Sequence, residues 1–101
     1  SAFDTRRVDL TVSAGCDTDS SAVHAAIERV VKAQKYALNE PAAFIRLNDC
    51  TDGKQNFAVR VWCRTENYYD LYPDLQEGIR AEFVRCGIAP TLPVMNVKLS
   101  K

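Results

Sequence analysis

Chemically reactive side chains and their usual motifs are scarce in this sequence. The chain has a single histidine, His24, so a Ser-His-Asp or Cys-His catalytic arrangement is difficult to assemble. One histidine also argues against a metal site that shares two imidazole ligands. The four glycines form neither a GxxxxGK[ST] nor a GxGxxG phosphate-binding loop. We therefore expect a protein that is not an enzyme and that binds no metal or cofactor.

The cysteines lack the spacing of a metal site. The chain has four of them, at positions 16, 50, 63 and 86, and no CxxC pair occurs. Structural zinc sites usually take their ligands in closely spaced pairs. Disulfide frameworks are typical of small domains without an adequate core, whereas 47% of these residues are hydrophobic. We therefore expect four buried or half-buried thiols in a reducing cytoplasm.

An excess of one charge and a long hydrophobic run are both absent. Thirteen basic residues balance thirteen acidic ones, which argues against nucleic acid and against a polybasic membrane contact. The longest apolar run is far shorter than the ~20 residues that span a bilayer, and no signal peptide is visible. The 101 residues suit one domain. Because the chain begins with Ser1 instead of methionine, we expect a piece of a longer protein.

Alternating apolar and polar residues are the main signal for strands in this chain. They predict strands over residues 7–12, 43–48, 57–64 and 94–99. An Asp-Gly pair at 52–53 separates the second strand from the third, and this dipeptide is typical of tight turns. The second and third strands are therefore predicted to pair as a hairpin.

Apolar residues at three- and four-residue steps predict two helices. The first follows a polar cluster in which Asp19, Ser20 or Ser21 can accept hydrogen bonds from a helix start, and it runs to about Lys35. The second begins near Asp70, has Pro73 in or near its first turn, and ends before Gly87, which suits a left-handed stop. The predicted buried stripe of the second helix comprises Leu71, Leu75, Ile79 and Phe83.

The order of elements, β-α-β-β-α-β, predicts an α+β, ferredoxin-like fold. This fold has a four-stranded, mainly antiparallel sheet with two helices on one face. We expect residues 1–5 to be disordered, residues 6–92 to form the α/β domain, and residues 93–101 to form a C-terminal strand. Because Pro90 and Pro93 separate this strand from the second helix, it can pair within the chain or with another subunit.

Several polar and aromatic side chains allow a functional interpretation beside a structural one. Asp17 and Asp19 resemble part of a calcium loop, but the required glycine and distal glutamate are missing, so helix capping is favoured. His24 is expected to be an exposed residue of the first helix. Four aromatic residues could stack a ligand ring, although packing in the core and at an interface is the favoured role. They are Trp62, Tyr68, Tyr69 and Tyr72.

Three arginines fall on the strands of the predicted hairpin, opposite their most apolar positions. Arg46, Arg60 and Arg64 could form a small basic patch. The favoured alternative is that they occupy the solvated or interface side of the sheet, with carboxylates opposite them.

Five segments occur in an order that is typical of one family. They are DTD at 17–19, RLN at 46–48, FAVRVW at 57–62, YPDLQEGIRAEF at 72–83 and GIAPTLPVMNV at 87–97. Together they resemble the C-terminal cytoplasmic α/β domain of the small-conductance mechanosensitive ion channel (MscS) family.

The resemblance implies a homoheptameric channel of the bacterial inner membrane that opens under tension and releases solutes during osmotic downshock. In that family this domain has a structural and assembly role, as the wall of a hollow vestibule on the cytoplasmic side. The last strand would join copies of itself in an intersubunit barrel, with interface residues Val94, Met95, Val97 and Leu99. The isolated fragment is expected to be a monomer or dimer and to conduct nothing.

Other functions on the same fold remain open alternatives. A regulatory or metal-binding domain of another membrane transporter, such as a cation-efflux protein, would require more than one histidine. An acylphosphatase-like enzyme would require a Gly-rich phosphate loop and an arginine after the first strand, and residues 13–21 lack both. A regulatory amino-acid-binding module is also compatible with this fold.

Overall fold

A computed structural model describes residues 4–89 of the chain. The elements in this range are β1 (Thr5–Gly15), α1 (Ser20–Ala33), β2 (Phe44–Thr51), β3 (Lys54–Arg64), a 3-10 turn (Thr65–Asn67) and α2 (Tyr68–Cys86). The α+β class is confirmed, with three of the four predicted strands in the described part. The fourth, residues 94–99, lies outside the described residues together with its predicted interface positions Val94, Met95, Val97 and Leu99.

The three strands form one antiparallel sheet in the order β1-β3-β2. The β2–β3 hairpin closes through Asp52 and Gly53, whose φ angles are 55° and 74°. A two-residue hairpin turn of this hand requires positive φ at both positions, and Asp-Gly is one of the pairs that tolerate it. The predicted hairpin is therefore confirmed. A shift of register between Leu47 and Asp49 places a bulge in the edge strand β2.

Both helices pack on the same face of the sheet and bury alternate residues of the central strand. Phe57, Val59, Val61 and Cys63 of β3 are at most 2% exposed. Burial on this scale is the main favourable contribution to folding, at about 25 cal/mol per Å² of apolar surface. The core therefore lies between the helices and one side of the sheet, and β3 is its centre.

Helix α1 begins where the sequence predicts. Asp19 is the N-cap: one carboxylate oxygen accepts from the Ser21 backbone N–H at 3.3 Å and the other from the Ser21 hydroxyl at 2.8 Å. This satisfies one of the free N–H groups of the first turn. The helix ends at Ala33.

Helix α2 begins earlier than predicted and ends as predicted. It starts at Tyr68, so Pro73 lies inside the helix instead of in its first turn. A cation–π contact supports the early start: the Arg6 guanidinium carbon lies over the Tyr68 ring, 3.7 Å from the ring centre. Gly87 is left-handed at φ 74°, and the Ile88 N–H donates to a carbonyl of the last turn at 2.8 Å, a Schellman stop.

The two helices approach closely because α2 has a glycine at their crossing. A Cβ atom on Gly78 would lie 2.8 Å from Cγ1 of Val30 and 3.5 Å from Nε2 of Gln34. Contacts below 3 Å do not occur between well-packed side chains, so the interhelical distance depends on the missing methyl group.

A three-residue ion-pair cluster joins the helices further along. Glu82 accepts from Nη2 of Arg85 at 2.6 Å and from Nε of Arg29 at 2.7 Å. Its side chain is 16% exposed. The hydrogen bonds of Arg85 and then of Arg29 lower the pKa of Glu82 to about 2.

Gly78→Ala is expected to destabilise the domain although alanine is the better helix former. Overpacking against Val30 costs about 1–3 kcal/mol, whereas removing a mid-helix glycine gains roughly 0.5–1 kcal/mol. Urea unfolding measures the difference. The exposed position Gln76, changed to alanine, is the control and should show no such loss. In a Val30→Ala background the cost of Gly78→Ala should shrink, and an unchanged cost would contradict the contact.

Glu82→Gln is expected to lower stability at neutral pH and to matter progressively less in acid. Because the folded-state pKa of Glu82 lies below its ordinary value of 4.5, its contribution is complete above that value and is lost as pH falls toward about 2. Urea unfolding of the wild type and the variant across that range measures this convergence.

The control for Glu82 is Glu77→Gln on the same helix, since Glu77 has no ion pair within residues 4–89. A stability difference for Glu82→Gln that stayed constant down to the acid limit would contradict the ion-pair interpretation.

Candidate assembly surface

The side of the sheet opposite the helices is covered by no element within residues 4–89. Because side chains alternate along a strand, burial of one set places the next set outward. We call these outward residues the open face, and they form three registered rows. The rows are Arg7 with Trp62, then Asp9 with Arg60 and Phe44, then Thr11 with Ala58 and Arg46.

Arginine and aromatic side chains are stacked on the open face. The Arg7 guanidinium lies 5.9 Å from the Trp62 ring centre, and its nitrogens bond both carboxylate oxygens of Asp9 at 2.7 and 3.1 Å. The hydrogen bond and charge of Asp9 raise the pKa of Arg7. The Arg60 guanidinium lies 4.8 Å from the ring centre of Phe44, which is 41% exposed. Arginine and aromatic residues are the types that most often anchor protein interfaces.

The open face has an excess of positive charge. It carries three arginines and one aspartate, and that aspartate pairs with Arg7. Arg46 and Arg60 make no ion pair within the part of the chain that the structure describes. The predicted carboxylate opposite Arg60 is present, since Asp9 is the register partner of Arg60. Asp9, however, forms its ion pair with Arg7 of the same strand.

The third predicted arginine, Arg64, lies at the end of β3 and pairs with Glu66 of the 3-10 turn at 3.2 Å. The structure therefore leaves two unpaired arginines in the patch, both on the hairpin and both exposed.

A shallow groove of about 220 Å³ crosses the centre of the open face. It arises because Ala58, the smallest side chain of the face, lies between long or branched neighbours. The residues that line it are Asp9, Leu10, Thr11, Asn48, Ala58 and Arg60. A depression bounded by charged groups can receive a protruding side chain of a partner.

The outward surface of α2 has the opposite charge. Asp70, Asp74 and Glu77 recur at helical spacing and are all exposed, and we call them the acidic stripe. None of the three forms an ion pair within residues 4–89. Tyr69 beside them is 76% exposed. Because α2 packs on the inner side of the sheet, the acidic stripe and the open face lie on opposite sides of the domain.

The four aromatic residues do not form one cluster. Tyr68 and Tyr72 pack against the core in a T-shaped contact with ring centres 5.9 Å apart, while Trp62 belongs to the open face. Tyr69 contacts Tyr68 at 5.2 Å and projects outward. The packing interpretation fits the two half-buried tyrosines, and the structure brings together no ring-stacking site with Trp62.

His24 differs from expectation. It is half-buried, and its Nε2–H donates to the Ile45 backbone carbonyl at 3.1 Å. Within residues 4–89, β2 is an edge strand, and His24 of α1 supplies a hydrogen bond to its Ile45 carbonyl. Asp19 acts as the helix cap and Asp17 is exposed. Within residues 4–89 no three histidine, cysteine or acidic side chains come together as metal ligands.

The expectation of four buried or half-buried cysteines is wrong for three of them. Only Cys63 is buried, whereas Cys16, Cys50 and Cys86 are exposed. Cys63 points inward from the central strand. Cys16 follows the last residue of β1, Cys50 is the last residue but one of β2, and Cys86 is the last residue of α2.

A cleft of about 440 Å³ lies between the end of α1 and the start of β2. Its wall includes Val31, Ala43 and Ile45, and an ion pair of Lys32 with Glu28 at 3.6 Å lies at its rim. The loop between α1 and β2 forms one side of the cleft. It is held in place by the Leu38 N–H, which donates to the Trp62 carbonyl of β3 at 2.8 Å. No sequence pattern indicated this cleft, because it depends on the path of an irregular loop.

Comparisons with known proteins agree with this architecture. A family model described as "Mechanosensitive ion channel MscS, C-terminal" matches residues 8–89. The chain is 33% identical over 94 residues to the small-conductance mechanosensitive channel of Edwardsiella ictaluri, covering 93% of this chain and 33% of that protein. It is 31% identical to an uncharacterised MscS family protein of Synechocystis, covering 93% of this chain and 32% of that protein.

Solved structures show the same fold. The closed state of Helicobacter pylori MscS superposes with a TM-score of 0.82 at 23% identity, over 88% of this chain and 36% of that one. Arabidopsis thaliana MSL1 superposes with a TM-score of 0.73 at 11% identity, over 89% of this chain and 35% of that one.

The chain spans about a third of the length of the curated relatives it matches. No helix within residues 4–89 has the length and apolar character needed to cross a bilayer. The family model covers most of the chain, the relatives match in sequence, and the fold agrees with solved members. This chain therefore belongs to the MscS family of mechanosensitive ion channels, as a C-terminal domain of such a channel.

Proposed function

We propose that the chain forms part of the wall of a cytoplasmic vestibule in a tension-gated channel of the bacterial inner membrane. In this role it serves structure and assembly, without catalysis, in a channel that releases solutes during osmotic downshock. The observation that carries the proposal is the placement of a basic, aromatic open face and an acidic stripe on opposite sides of one domain.

Two complementary surfaces on opposite sides favour head-to-tail association. An interface of this kind joins different surfaces of neighbouring copies, and it closes into a ring when the rotation permits. In our proposal the arginines Arg46 and Arg60 of one copy face Asp70 and Asp74 of the next. Opposite potentials select this orientation and disfavour pairing of like faces. We propose that the ring is the homoheptamer that the family resemblance implies.

The overall charge is compatible with such a ring. The formal net charge is zero, so adjacent copies do not repel one another as whole domains. The C-terminal strand is proposed to add a second contact in the intersubunit barrel, through Val94, Met95, Val97 and Leu99.

The isolated 101-residue chain is expected to be a monomer or dimer in solution. Without the remainder of the channel, each contact between copies lacks the effective concentration that a membrane-held ring provides. Light scattering coupled to size-exclusion chromatography measures the mass, and a stable heptamer would contradict this prediction.

The assembly surface is tested in a chimera. The chain replaces the corresponding domain of the Edwardsiella ictaluri channel, to which it is 33% identical. Arg46→Glu with Arg60→Glu should weaken assembly about tenfold or more, because like charges then meet in the interface. Asp70→Lys with Asp74→Lys should do the same, and the four changes together should restore assembly.

Three readouts apply to each variant. Native mass spectrometry reports assembly, patch-clamp recording reports tension-gated current, and survival of osmotic downshock is scored in bacteria that lack their own channels. Lys32→Glu with Lys35→Glu is the control for the arginine variant, since it changes the net charge by the same amount but lies outside both surfaces. If the four-change variant stayed as weak as the two-change variants, the proposed pairing of faces would be wrong.

A further inference from the structure

The outer edge of β1 is the longer and more regular of the two sheet edges in the described part. Within residues 4–89, β1 pairs only with β3, in continuous register over all 11 of its residues. The opposite edge strand, β2, has 8 residues and contains the bulge between Leu47 and Asp49. A bulge hinders the addition of another strand, whereas a long, regular edge favours it. The edge of β1 is therefore the better surface for strand pairing.

The charges on β1 are complementary to those of a second β1 in the opposite direction. Arg7 and Asp9 lie two positions apart and both point to the open face, with the buried residue Val8 between them. A twofold axis at Val8 places Arg7 of each copy opposite Asp9 of the other and Val8 opposite Val8. Cross-strand pairs of opposite charge stabilise an antiparallel sheet.

The same charges exclude the neighbouring registers. Because side chains alternate between the two sides of a strand, a shift by one residue sets inward side chains against outward ones. A shift by two residues brings Arg7 opposite Arg7 in one direction and Asp9 opposite Asp9 in the other. Like charges directly opposite each other destabilise strand pairing. The charges therefore select the register centred on Val8.

An exposed aromatic side chain lies beside the same edge. Tyr69 is 76% exposed, and its ring centre is 5.7 Å from the guanidinium carbon of Arg6 in β1. Helix α2 packs over β1, whereas α1 packs over β2. Gly78 faces α1, and the nine positions from Tyr69 to Gly78 make about two and a half helical turns. Tyr69 therefore lies on the flank of α2 turned away from α1, where its ring can contact a copy placed at the β1 edge.

We propose that the chain associates with a second copy as a symmetric dimer, through the outer edges of β1 in the register centred on Val8. The dimer joins two three-stranded sheets into one continuous sheet of six strands. An edge contact buries few side chains, so the dimer is weak, with a Kd between about 1 µM and 1 mM. A twofold contact uses the same surface on both copies and closes at two. It is therefore separate from the head-to-tail contact of the proposed ring, and either can fail without the other.

The experiment uses the full 101-residue chain with reductant present. Sedimentation equilibrium between about 1 µM and 1 mM should show a monomer–dimer equilibrium. In an equal mixture of isotope-labelled and unlabelled chains, isotope-filtered NMR should detect contacts between Val8 of one copy and Val8 of the other. Contacts between Arg7 and Asp9 of different copies should accompany them. This measurement tests the register without any variant.

Charge variants test the pairing across the edge. Arg7→Asp and Asp9→Arg should each weaken the dimer about tenfold, because like charges then lie opposite each other. The exchanged variant, Arg7→Asp with Asp9→Arg, should restore it. Lys35→Asp and Glu77→Arg are the controls, since each makes the same change in net charge away from β1. Circular dichroism confirms that every variant is folded.

A second pair of variants tests the flank of α2. Tyr69→Ala should weaken the dimer several-fold, whereas Val84→Ala, at a position 65% exposed on the same helix, should leave it unchanged.

Four results would overturn the proposal. They are a chain that stays monomeric at about 1 mM, an exchanged variant as weak as the single variants, a dimer whose contacts lie away from β1, and contacts of residues 94–99 with the β1 edge of their own chain. The last result would show that the chain covers this edge itself.

Discussion

Burial of only one side of the central strand is the constraint on which the rest of this structure depends. Val59 and Val61 of β3 are fully buried beneath the two helices. The residues between and beside them, Ala58, Arg60 and Trp62, consequently face the other way. The hydrophobic contribution of the inner side holds the domain together, and it leaves the outer side available for charged and aromatic groups.

Close packing of the helices keeps that arrangement in place. Gly78 allows α2 to approach Val30 of α1, and the Glu82 carboxylate joins arginines of both helices. An interhelical ion pair with a carboxylate only 16% exposed is more constrained than a fully solvated surface pair. The acidic stripe is carried on the far side of this layer, so its position relative to the open face is set by the helix packing.

In the proposed role, the domain acts through its surfaces, by contact between copies. Arg60 over Phe44 and Arg7 over Trp62 each combine a fixed charge with an apolar ring. Groups of this kind give an interface both orientation and area. The proposed ring uses these groups.

Local patterns in the sequence determined the elements, and tertiary packing decided which distant residues meet. The stop at Gly87 and the period of β3 follow from backbone sterics and hydrogen bonds within a few residues, so the sequence alone predicted them. It placed the cap of α1 among Asp19, Ser20 and Ser21, and the structure selects Asp19. The start of α2 was predicted too late, because packing beneath Arg6 extends the helix. The placement of Asp9 opposite Arg60 depends on the register of two strands that are distant in sequence. No short-range pattern carries that information, since register is set only when the whole inner face is buried.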